Sequence, residues 1–355
     1  GQLTDNTAVG ATAIDGITGQ WTDGTTLTSN PDDAETITDA AAPAIIEAKT
    51  LDNDNDGQID QILVTLSETI ADGSSTLNNT TFTVAGYTVS GTTTGTSPND
   101  NEVLISLTES GSADTDATPN VVLVAAKISD GSSALASDQT FTGTTDTAPP
   151  AIIAANTLDD DNDGQIDQIL VTLSEAITDG SSTLNNTTFT VAGYTVSNTT
   201  TGASANDNKV LITLTESGSA DTDATPNVVL VAAKISDGSS ALASDQTFTG
   251  TTDTAPPAII AANTLDDDND GQIDQILVTL SEAITDGSST LNNTTFTVAG
   301  YTVSGTTTGT SPDDNEVLIS LTESGSADTD ATPNVVLVAA KISDGSSALA
   351  SDQTF

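Results

Sequence analysis

The sequence predicts an all-β protein made of tandem β-sandwich domains. Three observations predict it: one segment occurs three times, its apolar residues alternate with polar ones, and clusters of Gly, Asn, Asp, Ser and Pro separate the alternating runs. The run Pro43-Ala44-Ile45-Ile46 returns at Pro150 and Pro257, so the period is 150 − 43 = 257 − 150 = 107 residues. A chain of 355 residues with that period holds three domains, 43–149, 150–256 and 257–355, each near the size at which one core sustains itself. Repetition at domain length points to work done by number and geometry more than by one catalytic pocket.

Within the first repeat, Ala44 to Thr50 and Gln58 to Ser67 alternate Val, Ile, Leu and Thr with polar residues and read as the first two strands. Thr81 to Ala85, Tyr87 to Thr93 and Glu102 to Leu107 follow, then Asn120 to Ile128 and Gln139 to Thr144. Ala71-Asp72-Gly73-Ser74, Thr94-Gly95-Thr96-Ser97-Pro98 and Asp130-Gly131-Ser132-Ser133 supply the turn residues between them. Seven strands in roughly 100 residues indicate sandwiches of immunoglobulin-like type, and their succession predicts an elongated array. Phe82, Tyr87 and Phe141 are the aromatic anchors of an otherwise aliphatic core.

Residues 1–42 read as the diverged last third of a preceding repeat. Shifted by 107, Asp23-Gly24-Thr25-Thr26 falls on Asp130-Gly131-Ser132-Ser133, Asp39 on Asp146 and Pro43 on Pro150. Phe355 is equivalent to Phe141 and Phe248, so the third repeat lacks the end of its last strand and the Thr-Gly-Thr-Thr-Asp-Thr-Ala-Pro-Pro linker. Two readings stay open: a window from a longer array, or head-to-tail complementation in which residues near Glu35 to Asp39 complete the edge of a neighbouring subunit.

Charge excludes whole classes of partner. Five Lys and no Arg stand against 51 acids, 41 of them Asp, for a net charge of −46. Nucleic acid and anionic membrane both require a basic surface, and no apolar run approaches the ~20 residues that span a bilayer. With no Cys and no His, disulfides, thiolate metal sites and the commonest general base are excluded. No nucleophile and base stand in a plausible order, so an enzyme is not expected.

The most specific chemistry is the acidic loop that opens each repeat, of the form D-x-D-x-D-G-x-I-D. It holds Asp52, Asp54, Asp56, Gln58 and Asp60 in the first copy. Asp159, Asp161, Asp163, Gln165 and Asp167 form the second, and Asp266, Asp268, Asp270, Gln272 and Asp274 the third. Calcium takes six to eight oxygens, and Asp at alternate positions around a glycine bend directs successive carboxylates inward. In EF-hand order Asp52, Asp54 and Asp56 fill positions one, three and five, the Gln58 carbonyl seven and Asp60 nine. Position twelve, normally a bidentate Glu, is Leu63, with Leu170 and Leu277 in the other copies. The missing oxygen has to come from elsewhere. A solvated acidic turn and adaptation to high salt are the competing readings; salt adaptation gives no reason for Asp at i, i+2, i+4 in every copy.

Immunoglobulin strand order places the first loop, the segment Glu109 to Asn120 and the exit linker at one end of a module. Asp114, Asp116 and Asp146 therefore join the first loop, as Asp221, Asp223 and Asp253 join the second. The next module presents its opposite end, with Asp179 and Asp237 in turns. Calcium at each junction, with the extended linkers Pro149-Pro150 and Pro256-Pro257, would lock successive modules at a fixed angle.

Lys127, Lys234 and Lys341 recur in each repeat and read as exposed edge charges, the alternative being an intramolecular isopeptide bond to Asn or Asp. Asn78-Asn79-Thr80-Thr81 and Asn198-Thr199-Thr200 match glycosylation acceptors. Leu66-Ser67-Glu68-Thr69-Ile70, Thr81-Phe82-Thr83-Val84 and Ile128-Ser129-Asp130-Gly131-Ser132-Ser133-Ala134-Leu135-Ala136 resemble the bacterial immunoglobulin-like tandem modules of S-layer and large surface proteins. The near-identity of the copies also resembles the calcium-rigidified extender arrays of adhesins. The resemblance implies an extracellular structural protein: a surface filament, stalk or layer with Ca2+ as cofactor and neighbouring modules or further copies of itself as partners. The other class is an adhesin array binding glycan or another cell, for which Trp21 is the aromatic platform candidate.

Overall fold

The computed structural model describes residues 39–202, 204–216, 218–285, 287–323 and 325–355, with the backbone of 18–20 and 26–28. Trp21 and Glu35 lie outside the described residues. Every described element is a β-strand, so the protein is all-β. The chain divides into two compact units, one of Gly1–Ala48, Leu63–Ile105 and Asn120–Thr142, the other of Lys49–Ile62, Ser106–Pro119 and Gly143–Phe355.

A short antiparallel pair, β1 (Thr18–Gln20) and β2 (Thr26–Thr28), precedes the repeats. The first repeat carries β3 (Ile45–Leu51), β4 (Gln61–Leu66), β5 (Phe82–Val84), β6 (Thr88–Thr94), β7 (Glu102–Thr108), β8 (Val121–Leu123) and β9 (Gln139–Phe141). Within the first unit β5, β8 and β9 form an antiparallel sheet in which Phe82 faces Leu123 and Val121 faces Phe141.

Repeats two and three lie whole in the second unit. Repeat two comprises β10 (Ile152–Leu158), β11 (Gln168–Leu173), β12 (Phe189–Val191), β13 (Thr195–Thr201), β14 (Lys209–Thr215), β15 (Val228–Leu230) and β16 (Gln246–Phe248). Repeat three comprises β17 (Ile259–Leu265), β18 (Gln275–Leu280), β19 (Phe296–Val298), β20 (Thr302–Thr308), β21 (Glu316–Thr322), β22 (Val335–Leu337) and β23 (Gln353–Thr354). In repeat two one sheet runs β10-β11-β14-β13 and the other β12-β15-β16; repeat three has the same order. First, second, fifth and fourth strands in one sheet, with third, sixth and seventh in the other, is the order of a seven-stranded immunoglobulin-type sandwich.

Alternation sends one face of each strand inward. Ile169, Val171 and Leu173 of β11 and Val210, Ile212 and Leu214 of β14 meet Phe189, Val191, Val228 and Leu230 of the opposite sheet in one core. Phe189 is fully buried while Tyr194 and Phe248 pack at the margin.

Beyond shifts of one residue, the strands differ from the expected spans at three places: the strand expected over Gln139 to Thr144 ends at Phe141, and the other two differences have a local polar reason. The run expected over Asn120 to Ile128 ends as a strand at Leu123, because Asp138 Oδ1 takes the Ala125 N–H at 2.8 Å and Ala126 turns to a φ of 60°. The strand expected from Gln58 starts at Gln61, because carboxylates take the preceding N–H groups: Asp56 binds that of Gln58 and Asp114 that of Ile59.

A bulge sets up the junction between modules. The pairing of β10 with β11 shifts between Ile152 and Ala154, and that of β17 with β18 between Ile259 and Ala261, leaving Ile153 and Ile260 out of register.

Truncating the buried ring in Phe189→Ala should cost about 3–5 kcal/mol of module stability, read from the urea midpoint of the full chain. The same change at half-buried Phe248 should cost visibly less.

Candidate metal centre

Local polar bonds fold the acidic loop. Asp159 Oδ2 accepts the Gly164 N–H at 2.9 Å and Oδ1 that of Asp163 at 3.2 Å. Asp163 closes a smaller turn, accepting the backbone and side-chain N–H groups of Gln165, both at 2.9 Å. Asn162 and Gly164 take positive φ values of 59° and 93° to complete the bend. The first loop repeats these bonds through Asp52, Asp56 and Gln58, and the third through Asp266, Asp270 and Gln272.

This folding brings carboxylates together. Oxygens of Asp52, Asp54 and Asp56 lie within 4.8 Å of one another, as do those of Asp159, Asp161 and Asp163. A second trio, Asp161, Asp167 and Glu216, meets the same limit. Glu216 was not singled out from the sequence, although it recurs as Glu109 and Glu323 at the 107-residue period. Its carboxylate stands where it could supply an oxygen in place of the one position twelve lacks. Leu170 cannot offer it, since it sits inside β11 between Asn156 and Leu211. Neighbouring carboxylates, led by Asp56 for Glu109 and Asp163 for Glu216, raise the pKa of both glutamates.

The remaining loop groups have structural duties. Asp60 accepts the Asn53 N–H at 3.2 Å, Asp167 the Asp160 N–H at 3.1 Å and Asp274 that of Asp267. The side-chain oxygens of Gln58, Gln165 and Gln272 accept the N–H groups of Gly111, Gly218 and Gly325. Asp114 binds the Ile59 N–H at 2.8 Å. Asp221 accepts the Ile166 N–H through Oδ1 and the Tyr194 hydroxyl through Oδ2, both at 2.8 Å. Asp114 and Asp221 therefore tie the loops together.

The loop is also the surface on which the next module docks. A Cβ built on Gly57 would lie 2.6 Å from Ile153 Cγ2 and 3.0 Å from Ser174 Cβ; Gly164 meets Ile260 and Ser281 in the same way. The Asn55 carbonyl accepts Gln246 Nε2 at 2.7 Å, and Asn162 accepts Gln353 Nε2 at 2.7 Å. Asp52 and Asp159 are each 7 % exposed beneath these contacts, whereas Asp266, on whose loop none of the described modules docks, is half-buried.

Linker bonds join the modules as well. Thr147 Oγ1 donates to the Thr50 carbonyl at 2.6 Å, and the Ala148 carbonyl accepts Ser240 Oγ at 2.9 Å. Thr115 Oγ1 donates to Ser174 Oγ at 2.8 Å, and Thr222 repeats the bond to Ser281 at 2.7 Å. Around this linker Asp146 meets Glu175 and Asp237 within 4.8 Å. Asp116 acts on Asp146 and Glu175 electrostatically, as Asp223 acts on Asp253 and Glu282. Asp179 lies apart from this cluster; its backbone N–H donates to Asn206 Oδ1 at 3.1 Å, and its own Oδ1 is buried without a hydrogen-bond partner. Glu175 and Glu282 went unnoticed in the sequence; a charged residue ending the apolar run Ile-Leu-Val-Thr-Leu-Ser-Glu was their signal.

At the other recurrent groups, Lys127, Lys234 and Lys341 donate to the hydroxyls of Thr80, Thr187 and Thr294, which offer no acyl group for an isopeptide bond. Asn78 and Asn198 are exposed.

No known protein family matches the chain, and no curated protein does. Among solved structures it is similar to the S-layer protein rSbsC(31–844) at 9 % identity and a TM-score of 0.23, over 88 % of this chain and 54 % of that one. Domains 1–6 of the surface layer protein SbsC give 10 % and 0.22, over 89 % and 54 %. The Bacteroides ovatus mixed-linkage glucan utilization locus protein SGBP-B, in complex with a mixed-linkage heptasaccharide, gives 10 % and 0.17, over 90 % and 91 %. The chain spans about half the length of the two S-layer structures.

Burial pushes Asp52 and Asp159 up to about 6, and burial with Asp146 or Asp253 nearby pushes Glu175 and Glu282 up to about 8. These acids hold protons more tightly folded than unfolded. In chelator their contribution to stability should be fully present below the ordinary values of 3.8 and 4.5 and be lost as pH rises through 6 and then 8. Calorimetry should show Tm falling across that window; a Tm that rose with pH would contradict the assignment.

Proposed function

We propose that this chain is an extracellular structural repeat segment, a calcium-stiffened rod belonging to a surface filament, stalk or layer. One observation carries the reading: the loop with calcium-type ligand spacing is the same surface that receives Ile153 or Ile260 of the following module. An ion bound by Asp159, Asp161, Asp163, Asp167 and Glu216 would fix the backbone of Asn162 and Gly164, and with it the seat of the next module. Module number then sets reach, and ion occupancy sets stiffness. Self-association by head-to-tail strand exchange is the proposed route from single chains to a filament.

Small-angle scattering with sedimentation, in excess calcium and after chelation, tests this. Calcium should narrow the distribution of end-to-end lengths and extend the chain; an unchanged profile would remove calcium from the function. Long polymers in calcium would mark a filament, stiffened monomers a stalk.

Gly164→Ala places a methyl against Ile260 at a φ where L residues are strained. It should loosen the junction between modules two and three, costing about 1–3 kcal/mol, and broaden the scattering profile even in calcium.

A further inference from the structure

The Asp146, Glu175 and Asp237 cluster is built differently from the acidic loop. Asp146 comes from the linker leaving module one, Glu175 from the turn after β11, and Asp237 from the turn after β15. Oxygens of all three lie within 4.8 Å of one another. Asp146 is fixed through Oδ1 by the Ala148 N–H at 3.2 Å, and Asp237 through Oδ1 by the Ser239 and Ser240 N–H groups at 2.7 and 2.6 Å. These bonds leave Oδ2 of each uncommitted.

Glu175 is the decisive member. It is only 5 % exposed, and its Oε1 is buried without a hydrogen-bond partner. Glu282 repeats the state, 5 % exposed with Oε1 unpartnered, beside Asp253 and Asp344. A buried carboxylate oxygen lacking a partner is costly, and the fold makes the same arrangement at both junctions. The equivalent Glu68, near Asp39 and Asp130, is only half-buried and lacks this signature.

We propose that each inter-module junction holds a second divalent cation, Ca2+ in the first instance, bound by Asp146, Glu175 and Asp237 at one junction and by Asp253, Glu282 and Asp344 at the next. Two half-buried aspartates gathered around one buried glutamate match a hard cation with oxygen ligands. Because Asp146 belongs to the linker and the other two to the following module, the ion ties the linker to that module. The site is separate from the acidic loops and does not rest on their binding calcium.

Native mass spectrometry of the full chain in calcium tests it, comparing wild type with Glu175→Gln/Glu282→Gln. The amide keeps the shape and removes the charge, so the double variant should carry two fewer ions; equal stoichiometry would show that the glutamates are neutral buried acids. Should that variant fold poorly, terbium-soaked crystals of the wild-type chain give an independent reading by anomalous scattering. A peak between Asp146 and Glu175 supports the site whether or not the loops are occupied. Peaks confined to the acidic loops overturn it and leave the loop assignment standing.

Discussion

Like charge crowded at the ends of modules is the constraint on which the rest of the structure turns. Two unit charges about 5 Å apart repel by roughly 3 kcal/mol even at an effective dielectric of about 20. With 41 Asp, five Lys and neither Arg nor His, the chain has few cations of its own to offset that repulsion. It uses backbone N–H groups instead. Asp159 takes two of them, Asp163 one and Asp237 two, and each bond shapes a turn while stabilising a carboxylate. What the backbone leaves without a partner is above all Oε1 of Glu175 and of Glu282, buried at the junctions.

The same carboxylates determine how modules meet. Because Asp159 draws in Gly164, the loop presents backbone with no Cβ toward its neighbour, and the β17 bulge supplies Ile260 to fill that space. Apolar contact and charge cluster are thus neighbours by construction. Hydroxyl bonds such as Thr222 to Ser281 and Ser347 to Ala255 surround them, using small side chains that allow close approach.

Much of this was legible in the sequence, for local reasons. Period-two alternation located all seven strands of a repeat, and the acidic spacing located the loop, because both depend on residues a few positions apart. What failed to show was set by distant or unmarked groups. Nothing at Ala126 signals a positive φ; Asp138, twelve residues on, ends the strand there. Glu216 reaches Asp161 because β14 pairs antiparallel with β11 and so ends beside the acidic loop, and Glu175 meets Asp146 because the linker is pinned from both sides. Asp221, a ligand candidate by position, also accepts the Ile166 N–H and the Tyr194 hydroxyl, partners that the sequence did not mark.

Repetition gives these contacts their consequence. Repeats two and three each carry an entry surface, with the bulged isoleucine, the glutamate and the Asp-Gly-Ser-Ser turn, and repeats one and two each carry an exit surface, with the acidic loop and the linker Asp. The junction between repeats one and two therefore uses the same residue types as that between two and three, shifted by the 107-residue period. Each added module contributes one more copy of the same interface, so stability grows by nearest-neighbour steps and no junction needs a dedicated design.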